Sequence, residues 1–121
     1  MKIDKFEEIE AWKEARRLVK DLYSGFSKCR DFSLKDQIQR AGISVMSNIA
    51  EGFERNTNKE FINFLSIARG SLAEVKSLLY AAKDIGYIDK NVFDSLFDRA
   101  NKVNGLLNGF ISYLKSNLKR K

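Results

Sequence analysis

Glu51 and Glu74 are the side chains in this sequence best suited to chemistry. Ser44, Ser47 and Asn48 precede the first, and Arg69 and Ser71 precede the second, each set among apolar neighbours. Paired carboxylates inside a helical bundle suggest a metal site, but the ferritin-like version also needs Glu-x-x-His on two helices. Histidine is absent, which removes most metal sites and most general-base chemistry. The one cysteine, Cys29, lacks the activating base that a nucleophile needs. No glycine-rich loop is built to cradle a phosphate. The sequence therefore predicts no catalytic residue, no metal and no cofactor. Asn48, Glu51, Arg69 and Glu74 read instead as a buried hydrogen-bonded network that fixes helix register, because buried charge persists only when paired.

A second constellation is basic. Lys13, Arg16, Arg17 and Lys20 span two helical turns, with Trp12 and Tyr23 at the border. That combination could grip phosphates and stack a base. In one isolated chain the plainer reading is a solvated face balanced by Glu14 and Asp21, with Trp12 in the core. Lys119, Arg120 and Lys121 form a second basic group, although cations also suit a helix C-terminus. The net charge of +6, from 22 basic and 16 acidic residues, permits a polyanionic partner without requiring one.

Helices must position all of these groups. The 121 residues contain no proline, where about six would be usual, so nothing breaks a helix by that route. The first helix is expected over about Glu7 to Lys28, with Ala11, Trp12, Ala15, Leu18, Val19, Leu22, Tyr23 and Phe26 on one face. The second is expected from Ser33, capped with Asp36, to about Glu54. It carries one apolar stripe of Leu34, Ile38, Ala41, Val45 and Ile49, and another of Ile43, Met46, Ala50 and Phe53. In the third, Thr57 and Glu60 form a capping box and Gly86 a left-handed cap. Between them, Phe61, Leu65, Ala68, Leu72, Val75, Leu79 and Ala82 alternate in steps of four and three. The fourth is expected from an Asp89 cap, with Ile88 and Phe93 as a hydrophobic staple. Phe93, Leu96, Ala100, Val103, Leu107, Phe110 and Leu114 line its inner face to about Leu118.

Short connections make consecutive helices antiparallel neighbours. The fold class is thus all-α, an antiparallel up-down-up-down four-helix bundle forming one domain over residues 1–121. Gly42, Gly70, Gly105 and Gly109 lie within helices, where glycine costs about 1 kcal/mol, and suggest close helix–helix approach. The stretch 103–114 carries no charge. Its polar side, Asn104, Gly105, Asn108, Gly109 and Ser112, reads as a subunit contact rather than an ordinary solvent face. No apolar run reaches the roughly 20 residues a membrane span needs, and the start lacks a signal-peptide segment, so a cytoplasmic protein without membrane contact is expected.

The segments QIQRAGISVMSNIAEGFERNTNKEF (37–61) and FLSIARGSLAEVKSLLYAAKDIGYI (64–88) resemble the 23S ribosomal RNA intervening-sequence proteins. The combination of Gln37, Arg40-Ala41, Ser44, Asn48 to Gly52, Arg55, Ala68 to Ser71 and Glu74 carries the likeness, which extends over nearly the whole chain. The resemblance implies a bacterial four-helix bundle that assembles into a homopentamer, with no established activity. Accessory variability-determinant proteins of diversity-generating retroelements are similar, which implies a basic barrel binding nucleic acid and a reverse transcriptase. Five copies at +6 would carry about +30, and repetition multiplies weak sites. The expectation is therefore a non-enzymatic homopentamer that binds RNA or DNA through its basic surface. The alternative is a protein-interaction scaffold or adaptor, for example for a reverse transcriptase.

Overall fold

The structure is a computed structural model describing residues 2–118. Four helices follow a short 3-10 turn at Phe6–Glu8: α1 (Glu10–Gly25), α2 (Phe32–Phe53), α3 (Asn58–Ile85) and α4 (Lys90–Leu118). Cross-helix contacts fix their directions, because residue numbers rise on one helix as they fall on its neighbour. Gln37 meets Glu74, Ser44 meets Ser71, and Gly52 packs on Phe61 and Phe64. Likewise Phe61 meets Phe110 while Tyr80 meets Phe93 and Phe97, and Glu14 meets Arg99 while Gly25 packs on Val92 and Leu96. Each helix packs on the next and α4 returns to α1, with the diagonal pairs held apart. This is the antiparallel up-down-up-down four-helix bundle expected.

The seam of α3 is buried at every expected position, from Phe61 to Ala82. On α4 the inner row shifts near its end: Ile111 joins the core, and Phe110 packs on its margin. The first apolar stripe of α2 is buried apart from half-exposed Leu34. The second is only partly covered, and Ile43 stays 41% exposed. Burying the first stripe already satisfies the bundle, so the other apolar side of α2 lies at its margin.

The helix ends show what local chemistry decides. Thr57 caps α3 by accepting the Glu60 N–H at 3.1 Å. Gly86, at φ 95°, closes it in the left-handed region that favours glycine. Asp89 accepts the Val92 N–H at 2.9 Å and starts α4, and the staple residues Ile88 and Phe93 are both buried. Two expectations need correction. The N-cap of α2 is Asp31, whose carboxylate accepts the Leu34 N–H at 3.1 Å, and Ser33 lies inside the helix. The long first helix breaks at Ile9, whose extended backbone sends its side chain into the core at 2% exposure. It also stops at Gly25 rather than Lys28, and the following turn buries Phe26 and Cys29.

Of the glycines expected at close approaches, Gly42 fits: an added Cβ would lie 2.7 Å from Leu22 Cδ1. Gly70, Gly105 and Gly109 do not, because a Cβ on any of them meets open space. The tightest glycine beyond these is Gly52, where a Cβ would come within 2.7 Å of Phe64 Cβ and 2.8 Å of Phe61 Cδ1.

Candidate nucleic-acid interface

The basic row of α1 is an outward stripe with two kinds of cation. Lys13 pairs with Glu10 at 3.3 Å, and Arg17 pairs with Glu14. Arg16 and Lys20 are exposed and make no ion pair among the described residues. The Arg16 guanidinium lies 5.7 Å from the centre of the Trp12 ring, and Phe6 meets that ring edge-on at 5.2 Å. Trp12 is half-buried, and Tyr23 is 45% exposed further along the helix. The stripe thus offers two unpaired cations one turn apart, an indole already stacked by arginine, and an accessible phenol. Lys119, Arg120 and Lys121 lie outside the described residues.

Beneath the stripe sits the buried charge that the sequence reading placed elsewhere. Glu14 is 3% exposed. Its carboxylate accepts from Arg99 at 3.0 Å and from Arg17, and Lys102 lies 3.4 Å away. Arg99 also reaches Asp21 at 3.1 Å. Burial pushes the Glu14 carboxyl up, but hydrogen bonds from Arg99 and Arg17 and the nearby Lys102 charge hold it below its ordinary 4.5. Glu14 is therefore no solvated counter-charge. It pins α1 to α4 and is the buried ion that the interior of the bundle tolerates because it is paired.

The network expected from Asn48, Glu51, Arg69 and Glu74 does not form. Because Gln37 pairs with Glu74 at 3.3 Å, the antiparallel register places Glu51 about 20 Å further along α2 at 1.5 Å per residue. Glu51 is exposed, and its carboxylate makes no hydrogen bond or ion pair among the described residues. Arg69 is exposed too and turns to α4, donating to Asn108 at 2.9 Å. Asn48 is half-buried and donates to the Ser44 carbonyl at 2.8 Å and to Ser44 Oγ at 3.0 Å. Ser44 Oγ in turn meets Ser71 Oγ at 2.8 Å. The middle of the α2–α3 seam is thus joined by neutral hydroxyls, and its Gln37 end by an amide donating to the Glu74 carboxylate. Signals for Glu14 were present in its neighbours Ala11, Ala15 and Leu18, one turn away on either side or adjacent.

Gly105, Asn108, Gly109 and Ser112 all lie exposed on α4. Gly105 and Gly109 also line an apolar groove of about 330 Å3, walled by Ile3, Ile9, Leu106 and Phe110. No described helix is long and apolar enough to cross a membrane.

Residues 7–109 match the sequence pattern of the family described as 23S rRNA-intervening sequence protein. The chain belongs to that family. It is also similar to a solved structure from Bacteroides thetaiotaomicron VPI-5482, described as a protein with unknown function from the S23 ribosomal protein family. The two are 27% identical with a TM-score of 0.73, over 84% of this chain and 94% of that one. Among curated proteins no relative matches.

Proposed function

We propose that this member of the family is a non-enzymatic nucleic-acid-binding accessory protein, working as a homopentamer through the basic stripe of α1. The observation that carries the reading is the pair Arg16 and Lys20, exposed, unpaired among the described residues and one turn apart beside Trp12. Lys13, paired with Glu10, is partly neutralised, so Arg16 and Lys20 carry most of the charge of the stripe that no carboxylate offsets. Five subunits at +6 each would surround the assembly with about +30, and linked weak sites gain through effective concentration. The exposed, uncharged residues Gly105, Asn108, Gly109 and Ser112 support a subunit contact on α4. Lys119, Arg120 and Lys121 would add a second phosphate contact.

Mobility shifts at low and physiological salt test this reading. Binding through phosphates releases counterions and weakens steeply with salt. Reversing Arg16 and Lys20 to Glu should lower affinity and flatten the salt slope while the oligomer stays intact. An intact oligomer that leaves single-stranded and duplex probes unshifted refutes it. That outcome would favour the scaffold or adaptor reading, with a reverse transcriptase as one such partner, which draws on the exposed side chains of Phe32, Ile67 and Ile85.

A further inference from the structure

From the α1–α4 charge cluster we infer that Arg17 and Lys102 form one two-helix phosphate seat, and that buried Glu14 is the positioning residue that holds them together. This inference rests on the nucleic-acid reading above and extends the contact surface from α1 onto α4. One oxygen of Glu14, Oε2, receives both Arg17 and Lys102. Two cations so close would separate by mutual repulsion if the carboxylate were not between them. Yet neither is consumed by it, since Arg17 is 57% exposed and Lys102 61% exposed. A guanidinium has five N–H donors and an ammonium three, so most of their donors still face solvent. Arg99 plays a different part. It is held by Glu14 and Asp21 together and anchors the cluster instead of offering itself outward.

The location suits a phosphodiester. Lys20 lies on the same helix as Arg17, one turn on, so the seat continues the α1 stripe instead of forming an isolated spot. Lys102 also borders a surface hollow with Ser95, Asp98 and Arg99. The cost of ordering two long side chains is met in the free protein by Glu14, so less is lost on binding.

The test uses the full chain and a short fluorescent oligouridine, with affinity measured by anisotropy across a salt series. Simple electrostatics and positioning predict opposite results for Glu14→Gln. That substitution adds one positive charge per subunit, so a surface acting by net charge alone binds RNA more tightly. A positioned seat binds it about twofold or more weakly, because the fork opens. Lys102→Ala should lower the salt slope by about 0.7 for each engaged subunit. Lys59→Ala, an equal charge loss at the start of α3, should leave the slope unchanged. Thermal melting and light scattering confirm that each variant is folded and assembled, and Lys102→Ala, at an exposed site, keeps the test decisive if Glu14→Gln fails to fold. Tighter or equal binding by Glu14→Gln, or an unchanged slope for Lys102→Ala, overturns the inference while wild-type binding leaves the broader reading standing. A wild-type chain that binds no RNA overturns both.

Discussion

Replacing Glu14 by Ala should destabilise the bundle by about 2 kcal/mol at neutral pH, most of it through Arg99. A hydrogen bond to a charged group contributes about 1.5–3 kcal/mol net. The Arg99 bond is in that class, because both partners are largely withdrawn from water, at 4% and 34% side-chain exposure. The contacts with Arg17 and Lys102 involve cations more than half exposed, so each contributes about 0–1 kcal/mol. Against these gains stands the desolvation of the carboxylate, which the substitution relieves. Removing one member of a fully buried pair costs about 3–5 kcal/mol. Here the figure is smaller because Arg17 and Lys102 regain water and Arg99 keeps Asp21.

For a chain of this length, about 2 kcal/mol corresponds to a fall in Tm of roughly 8 °C. Circular dichroism melts and urea titrations at equal protein concentration would measure it, since assembly also shifts Tm. Glu51→Ala is the internal control, because an exposed side chain without a partner should stay within about 0.5 kcal/mol. The reasoning fails if Glu14→Ala is as mild as Glu51→Ala, or if Glu51→Ala proves the more damaging of the two.

Further expectations come from the same structure. In acid, the Glu14 contribution is complete above its unfolded value near 4.5 and disappears as pH falls through its lower folded value; Glu14→Gln should therefore lose less stability than wild type over that range in urea titrations. Asp31→Ala should cost about 1 kcal/mol through loss of the α2 cap, while Ser33→Ala should change urea stability by less than about 0.5 kcal/mol. Gly52→Ala should destabilise by about 1–3 kcal/mol because its methyl meets two phenylalanine side chains, whereas Gly70→Ala, facing open space, should stabilise an unassembled chain by up to about 1 kcal/mol in the same titration. Light scattering should give about five times 13.9 kDa, and Gly109→Glu should lower that mass; a monomeric wild type would remove the pentamer.

The fold was legible because burial is collective. Seven positions on α3 carry one seam, and all seven are buried, so a chance polar residue would not have hidden the period. The cap at Thr57 and the stop at Gly86 were legible for another reason, since each depends on chemistry within a few residues. The start of α2 was misplaced by two residues because Asp31 and Ser33 are both competent caps. The choice between them involves a distant group: Tyr87 donates to Asp31 at 3.0 Å. Ile9 sits within a continuous helical pattern in the sequence, and its local propensity gives no sign that its side chain is needed in the core.

Charged groups were the hardest to place, and Glu14 shows why. On α1 alone it looks like one more acid among Lys13, Arg17 and Asp21, all within helical reach. Its burial depends on Arg99 and Lys102, more than 80 residues away in sequence, arriving on α4. A wheel drawn for one helix contains no such information. The same limitation made Arg69 and Glu74 look like partners of Asn48 and Glu51, since their small neighbours suggested an interior. Of those small residues, Ser44 and Ser71 meet across the α2–α3 seam, while Glu51, Arg69 and Glu74 stay exposed. Small neighbours alone therefore do not mark an interior, since Gly70 faces open space, and the ion that is buried is the one that meets counter-charges from the opposite helix. In this bundle that condition is satisfied at the α1–α4 seam, beside the basic stripe of α1, which is why one carboxylate can serve both the packing of the helices and the spacing of Arg17 and Lys102 above it.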